Sequence, residues 1–148
     1  MTVTITPLSE REFFAWYTLF AEYASGEGVQ PTDEQVMRVW TTVQSPDGVS
    51  FVAHDGSGAV VGLVHALRFE RLLTGRAGYE IEDLFVSPTA RRQGVATALI
   101  EHVRTRAEAD RLPLLRWSAK AEAPATRALQ DKFAASAGGW VLQTLPVG

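Results

Sequence analysis

The stretch "YEIEDLFVSPTARRQGVATALI", residues 79–100, decides the fold. Its first part has the aromatic and β-branched residues of a strand, but the apolar positions change parity between Ile81 and Leu84. A three-residue step in a pattern of period two predicts a β-bulge near Glu82 and Asp83. Bulges redirect side chains and occur often beside active sites, so this strand is the first place to look for function.

The second part of the stretch runs from a loop into a helix. Pro88 ends the strand, and helical spacing of apolar residues begins after Gly94. The first N–H groups of a helix have no partner within the helix and lie at the positive end of its dipole. Gly94 leaves this backbone accessible, and Arg91 and Arg92 add forked cationic donors. The pattern favours a phosphate or pyrophosphate site, and a solvated basic loop before a surface helix is the alternative.

Local signals before this stretch predict strands and helices in alternation. Alternating β-branched residues in "TVTITPL" predict a first strand. Two capping boxes, Ser9 with Glu12 and Thr32 with Gln35, predict the starts of two helices. A hairpin with its turn at residues 54–58 follows, and then a loop over residues 70–78.

The part after this stretch predicts a strand in "LPLLRWSAK", a helix over residues 123–139 and a final strand in "WVLQTLPV". The predicted order is therefore β-α-α-β-β-β-α-β-α-β. This order is typical of an α/β fold with a mixed sheet and helices on both faces. With no linker or repeat, residues 1–148 are expected to form a single domain.

Composition excludes several classes of protein. The 148 residues are 46% hydrophobic, which suffices for one core, and the net charge of −3 argues against a nucleic-acid partner. The chain has no cysteine, hence no disulfide and no cysteine nucleophile. No secretory signal and no apolar run of membrane-spanning length is present, so we expect a cytoplasmic protein without a membrane partner.

The chain resembles the GNAT superfamily of acyl-CoA-dependent N-acetyltransferases. "RRQGVA", residues 91–96, fits that family's Q/R-x-x-G-x-G/A pyrophosphate motif, and "IEDLFVSP" resembles its bulged strand, where a mostly antiparallel sheet splays at the fourth strand. "SAKAEAPATRALQDKFAASAGGW" resembles the strand and helix that follow in the family. The resemblance covers essentially the whole chain, and its finer likeness is to the diamine and polyamine acetyltransferase branch.

The resemblance implies acetyl-CoA as the acyl donor. Backbone groups of Leu84, Phe85 and Val86 would bind the acetyl and pantetheine portions, with the Val86 amide polarising the thioester carbonyl. The motif residues implied to hold the pyrophosphate, chiefly through their amides, are Arg91, Arg92, Gln93, Gly94, Val95, Ala96 and Thr97.

The chain departs from the family at the position that carries a general acid. Gln130 stands where the family usually has a tyrosine that protonates the departing thiolate, and an amide has no useful proton to give. The motif's asparagine and alanine fall at Ala123 and Thr126. A thiol has a pKa of about 8.5, so its thiolate can leave near neutrality without an acid. Water, Ser118 or a tyrosine remain as substitutes.

Three carboxylates on the bulged strand are candidates for the amine's base and for binding the acceptor. The resemblance points to Glu82 as the base, acting through water, while Asp83 or Glu80 could hold a cationic substrate. The alternative is that all three are solvated strand carboxylates.

Aromatic residues crowd the first two predicted helices, a region that covers the acceptor site in the resembling family. Tyr17, Tyr23 and Trp40 could form a cation–π wall for an amine, although helical spacing makes core packing the favoured role for most of the aromatic residues in this region. Trp117 could face the core or the acceptor. His65 lies on the apolar parity of its strand and is expected to be a satisfied buried histidine, and no histidine spacing predicts a metal site.

The sequence thus predicts an acetyl-CoA-dependent N-acetyltransferase that modifies a primary amine of a small molecule by direct attack in a ternary complex. An acyl-CoA-binding sensor that has lost turnover is the alternative from another class, motivated by Gln130. A nucleotide-phosphate binder is a third reading. The sequence leaves open the identity of the acceptor and whether the protein is a homodimer.

Overall fold

A computed structural model describes residues 2–148 except 121, 122, 137, 139 and 140. The chain divides into two compact units, Met1–Arg116 and Trp117–Gly148. The strands are β1 Thr4–Pro7, β2 Gly48–His54, β3 Val60–Arg71, β4 Arg76–Val86 and β5 Leu114–Trp117. The helices are α1 Phe13–Gly26, α2 Asp33–Val43, α3 Val95–Ala109 and α4 Pro124–Phe133.

The five strands form one sheet in the order β1-β2-β3-β4-β5. The first four strands pair antiparallel with their neighbours, and β5 runs parallel to β4. The parallel step follows from the crossover through α3, since parallel strands need a long connection. The predicted α/β class with a mixed, mostly antiparallel sheet is confirmed.

Helices cover both faces of the sheet in the first unit. Leu63 on β3 belongs to a buried cluster with Trp16 and Phe20 of α1 and Val36 of α2. Its neighbour Gly62 points to the other face, where a Cβ would lie 3.0 Å from Cγ1 of Val95 on α3. Alternation along one strand therefore separates the α1 and α2 layer from the α3 layer.

Both predicted capping boxes form. The amide of Ser9 donates to Glu12 Oε2 at 2.9 Å, in the short 3-10 turn Glu10–Glu12 that precedes α1. At the start of α2, the amide of Gln35 donates to the Thr32 hydroxyl at 3.2 Å, and Gln35 Oε1 accepts from the Thr32 amide at 2.8 Å. These signals were predictable because each involves residues only three positions apart.

Strand β5 lies against the first half of β4. A Cβ at Gly78 would approach the carbonyl oxygen of Leu114 to 2.2 Å, and Arg116 Nη2 lies 3.2 Å from Glu80 Oε2. Strand β4 continues six residues past Glu80 to Val86. The last part of β4, residues 81–86, contains the predicted bulge.

Two predicted boundaries are wrong. The loop over residues 70–78 is mostly strand, because β3 and β4 continue their pairing to Arg71 and Arg76 around a tight turn. Helix α4 ends at Phe133 and not at the glycines further on, since Ala134 takes a left-handed conformation with φ 53°; Gly139 lies outside the described residues.

The predicted final strand is also wrong over residues 141–147, which have no regular secondary structure. Trp140, its first residue, lies outside the described residues. The apolar side chains here are largely exposed: Val141, Leu142, Leu145 and Val147. Alternation of apolar residues predicted the strand, but a strand also needs a partner for its backbone, and alternation does not supply one.

Candidate active site

The bulge in β4 falls where the parity change predicts it. His65 of β3 pairs with Asp83, and the next residue, Ala66, pairs with Ile81. Glu82 is therefore the extra residue, without a cross-strand partner in the described pairing. An unpaired residue of this kind bends the strand and turns its side chain away from the regular alternation, so Glu82 and Asp83 occupy different environments despite being neighbours.

Asp83 ends a chain of hydrogen bonds that starts inside the core. Nε1–H of Trp16 donates to Nε2 of His65 at 2.9 Å, and Nδ1 of His65 lies 2.9 Å from Oδ2 of Asp83. The hydroxyl of Tyr23 donates to the other carboxylate oxygen, Oδ1, at 2.8 Å. His65 is 2% exposed. The histidine is buried with both ring nitrogens engaged, as its strand parity led us to expect.

The two neighbouring carboxyl groups shift their pKa values in opposite directions. Burial acts to raise the pKa of Asp83, but its hydrogen-bond and electrostatic interactions with His65 and its hydrogen bond from Tyr23 together outweigh burial and lower that pKa. For Glu82, desolvation of the carboxylate and then the charges of Glu80 and Asp83 raise the pKa, against a smaller opposing effect of Arg116. Such a pair can divide its tasks, one group staying ionised and the other exchanging protons nearer neutrality.

A pocket of about 530 Å³ opens beside these carboxylates, and its size suits a small molecule. Helix α2, the segment before it and strands β3 and β4 provide its walls. The lining residues are Val29, Pro31, Gln35, Arg38, Val39, Thr42, Val43, His65, Leu67, Glu82 and Asp83. The structure thus brings Glu82 and Asp83 together in one cavity.

The end of β4 turns its backbone groups away from β3. The amide of Ser87 donates to the carbonyl of Val61 at 2.8 Å. Hydrogen-bonded and non-bonded pairs alternate along antiparallel strands, so the adjacent pair, Gly62 and Val86, directs its N–H and C=O groups outward. The N–H and C=O groups of Leu84, two residues earlier on β4, point outward for the same reason. The Val86 carbonyl accepts from Nε of Arg91 at 2.9 Å, and its amide faces that same outer side.

The loop that follows β4 presents a row of free amides. Among the described residues, none of the amides from residue 92 to residue 97 has an acceptor, and the first helical bond is donated by Ala98 to the Gly94 carbonyl at 3.0 Å. Arg92 and Gly94 have left-handed backbone, with φ of 61° and 80°. Turn conformations of this kind gather successive N–H groups into a concavity that binds anions. A Cβ at Gly94 would have nothing within 4 Å, so the amides are open to a ligand.

The residue types of this loop fit the diphosphate of acetyl-CoA. Six unpartnered N–H groups sit at the start of a 15-residue helix, Val95–Ala109, where the helix dipole favours negative charge. The side chain of Arg91 folds back over Phe85, with its guanidinium carbon 5.6 Å from the ring centroid. Arg91 is therefore tied to the strand end, and both Arg91 and Arg92 are exposed to solvent.

The aromatic residues proposed for the acceptor site occupy three distinct environments. Trp40 is partly buried and packs against the core, with its ring centroid 4.9 Å from that of Phe13 and 5.1 Å from that of Trp16. Tyr17 is 36% exposed and donates to Asp33 Oδ1 at 2.8 Å. Tyr23 reaches the candidate site directly through Asp83. Their roles toward an acceptor remain predictions.

The hydroxyl group of each of the three tyrosines donates a hydrogen bond to a carboxylate. Besides Tyr17 and Tyr23, Tyr79 donates to Asp110 Oδ2 at 2.5 Å. Burial, followed by the charge of Asp83, raises the pKa of Tyr23. A tyrosine held in this way stays protonated at neutral pH.

Gln130 and Trp117 belong to the second unit. Gln130 lies on α4, where its backbone carbonyl accepts from the Ala135 amide at 2.9 Å. Trp117 makes an edge contact with Phe133 at 6.3 Å between ring centroids. The roles predicted for both residues, as an acid position and as an acceptor contact, remain predictions.

Sequence reasoning missed the part that Trp16 plays. Trp16 is fully buried in the core, and its indole N–H also fixes His65. The available signal was chemical: a buried indole N–H and a buried imidazole each need a partner.

Within the described chain no group of His, Asp and Glu could hold a metal ion. No described helix is long and apolar enough to cross a membrane.

Comparison with known proteins identifies the family. The family model described as Acetyltransferase (GNAT) family matches residues 12–133. The chain therefore belongs to the GNAT acetyltransferase family and is an acetyl-CoA-dependent N-acetyltransferase. A search of curated protein sequences finds no match.

Solved structures share the fold along their whole length. AAC(6')-Iy, in complex with the bisubstrate analog CoA-S-monomethyl-acetylneamine, is 17% identical with a TM-score of 0.84, and each chain covers 100% of the other. A ribosomal-protein-alanine N-acetyltransferase from Brucella melitensis biovar Abortus 2308 is 22% identical with a TM-score of 0.78, covering 99% of this chain and 100% of that one. An aminoglycoside acetyltransferase from an uncultured soil metagenomic sample is 25% identical with a TM-score of 0.79 and full coverage of both chains.

Proposed function

We propose that the protein transfers the acetyl group of acetyl-CoA to a primary amine of a small molecule by direct attack in a ternary complex. One observation carries the proposal: a single strand, β4, joins the two halves of the site. Glu82 and Asp83 line the pocket, and Val86, three residues past Asp83, leads into the row of free amides. At about 3.3 Å per residue, Glu82 and Val86 are roughly 13 Å apart along the strand.

The donor half would hold acetyl-CoA through backbone groups. The free amides of residues 92–97 would bind the diphosphate, and the outward-facing groups of Leu84 and Val86 would bind the pantetheine and acetyl portions. When bound, acetyl-CoA supplies a thioester carbonyl activated for attack. The outward N–H of Val86 is the group on this strand suited to polarise that carbonyl, because a fixed backbone donor needs no reorganisation as charge develops.

The acceptor half would deprotonate the amine. As the C–N bond forms and the C–S bond breaks, the proton on nitrogen passes through water to Glu82. A raised pKa suits Glu82 to this task, because a base works best when its pKa lies near the working pH. Asp83 is a poorer base, since its pKa is lowered. The leaving thiolate needs no protein acid near neutrality, which makes a glutamine at position 130 tolerable.

The size of the pocket favours a small acceptor over a protein. One of the similar structures is an aminoglycoside acetyltransferase, and AAC(6')-Iy is bound to a bisubstrate analog that joins CoA to acetylneamine. That likeness supports a small acceptor with more than one amino group. The absence of cysteine supports direct attack, since no thiol can carry an acyl group between two half-reactions.

Turnover on an amine panel tests the proposal. The purified chain is incubated with acetyl-CoA and single amines that range from monoamines to amino sugars, and the release of free thiol is followed. We expect release above the rate of hydrolysis with at least one small amine. Tight binding of acetyl-CoA without release on any amine would contradict the proposal and favour a sensor. Protection from thermal unfolding by ATP but not by acetyl-CoA would favour a nucleotide-phosphate binder.

A further inference from the structure

The bond between Trp16 and His65 decides which nitrogen of the histidine carries the proton. An indole N–H only donates, so Nε2 of His65 must accept the 2.9 Å hydrogen bond. In the neutral ring the proton then sits on Nδ1, and Nδ1–H donates to Oδ2 of Asp83. A residue on α1 thus sets the tautomer of a residue on β3, which in turn presents a donor to the carboxylate.

His65 is unsuited to act as the base itself. It is 2% exposed, and a proton on Nε2 would displace the Trp16 hydrogen bond. Its effect on an acceptor must therefore pass through Asp83.

The Asp83 carboxylate is held at both oxygens and still has acceptor capacity. His65 donates to Oδ2 and Tyr23 to Oδ1, so neither torsion of the side chain is free. Each carboxylate oxygen has two lone pairs, and one on each remains unused. The side chain is 26% exposed and lines the pocket, so a ligand can reach those lone pairs.

The charge around this carboxylate favours a cationic group. Glu82 adds a second carboxyl group to the same wall of the pocket. The cation in the lining, Arg38, lies at the surface within 3.8 Å of Glu34 Oε1, and its side chain is 76% exposed. The wall formed by Glu82 and Asp83 is thus negative.

We propose that His65, fixed by Trp16, is a positioning residue that holds the Asp83 carboxylate to bind a second cationic group of the acceptor. The inference rests on the proposed function for the identity of the site, and it names the class of acceptor: an amine that carries another positive charge. The reacting nitrogen must be neutral to attack, so the ammonium that Asp83 binds is a different one.

Two substitutions of one residue separate the roles of the two ring nitrogens. The amide of asparagine can place an N–H near the position of Nδ1, so His65→Asn keeps a donor for Asp83 and loses the acceptor for Trp16. The longer glutamine reaches the position of Nε2, so His65→Gln keeps an acceptor for Trp16 and loses the donor for Asp83. Asp83→Asn removes the anchoring charge with little change in shape.

The first measurement is binding, by calorimetry in the presence of CoA, of a linear diamine and of a monoamine of equal length. Wild type is expected to prefer the diamine by about tenfold, the usual worth of a hydrogen bond to a charged group. His65→Asn is expected to keep this preference, and His65→Gln and Asp83→Asn to lose it. Thermal melting checks that each variant is folded. If His65→Gln is unfolded, the contrast between Asp83→Asn and His65→Asn carries the test.

The second measurement is turnover. His65→Gln is expected to raise KM for the diamine about tenfold while kcat changes less than about threefold and the monoamine is unaffected. Equal losses for both amines would mean a merely structural role and would overturn the inference. So would a wild type without preference for the diamine, or a His65→Gln variant that keeps it. A wild type that binds the diamine selectively but acetylates no amine would sink the proposed function and leave this inference standing.

Discussion

Glu82 and Asp83 are consecutive in the chain, yet only Asp83 has a cross-strand partner, His65, because the bulge leaves Glu82 unpaired. Asp83 is held by two donors, whereas Glu82 makes no side-chain hydrogen bond with the described residues. One carboxyl group is thereby fixed and ionised, and the other is free to exchange a proton. This division is the basis of the first two predictions.

Replacing Glu82 by glutamine removes the proposed base and keeps the shape of the side chain. We expect kcat/KM to fall by about 10² to 10⁴-fold, the range that general base catalysis contributes. The measurement is thiol release at saturating acetyl-CoA, with Glu80→Gln as the matched control on the same strand. If Glu82→Gln loses no more activity than the control, Glu82 is not the base.

Glu80→Gln should shift the pH profile rather than abolish activity. The charge of Glu80 helps to raise the pKa of Glu82, and the loss of Glu80 also frees Arg116, which lowers it. The pKa of Glu82 then falls, more of it is ionised at acid pH, and the acid limb of kcat/KM moves to lower pH. Arg116→Gln should move the limb the opposite way. If the acid limb of kcat/KM stays at the same pH in both Glu80→Gln and Arg116→Gln, a group other than Glu82 controls it.

The cradle of free amides predicts a specific effect at Gly94. Gly94 and Gly58 both have positive φ, 80° and 87°, and a Cβ at either has nothing within 4 Å. Alanine should therefore cost each site a similar strain of about 1 kcal/mol in the free energy of unfolding. In Gly94→Ala the methyl group would also meet the diphosphate, so the Kd for acetyl-CoA should rise at least about tenfold, or about 1.4 kcal/mol. Titration calorimetry gives the Kd for acetyl-CoA of each variant, and scanning calorimetry gives its stability. An equal Kd in Gly94→Ala and Gly58→Ala would place the diphosphate elsewhere.

The close contact of β4 with β5 predicts a stability effect at Gly78. An alanine Cβ would lie 2.2 Å from the Leu114 carbonyl oxygen, and this backbone atom cannot move aside without shifting a strand. We expect Gly78→Ala to lower the free energy of unfolding by about 3 kcal/mol, as overpacking does. Gly56→Ala, whose Cβ would have nothing within 4 Å, should stay within about 0.5 kcal/mol. Urea denaturation gives both values, and a neutral Gly78→Ala would mean that the strands are further apart.

The parts of the fold that the sequence predicted are those with local causes. The bulge followed from the parity of Ile81 and Leu84, and the capping boxes from residues three positions apart. The final strand failed because apolar alternation over residues 141–147 says nothing about a partner strand. The hairpin extension to Arg71 and Arg76 was missed because cross-strand hydrogen bonds, not apolar periodicity, maintain it.

In the candidate site too, features with local causes could be predicted from the sequence, and those that need distant residues could not. The free amides around Gly94 were predictable, since a loop-to-helix step creates them. The chain of hydrogen bonds from Trp16 to Asp83 was not, because its members are 49 and 18 residues apart and meet only when α1 packs on β3. The lowered pKa of Asp83 depends on His65 and Tyr23, and the raised pKa of Glu82 depends on its burial, so both shifts also needed the structure.

The most direct test of the central claim is the initial-rate pattern when acetyl-CoA and an accepted amine are both varied. Direct attack in a ternary complex predicts double-reciprocal lines that intersect, because both substrates must be bound before thiol is released. Parallel lines, with thiol released before the amine binds, would indicate an acetylated enzyme and would contradict the account.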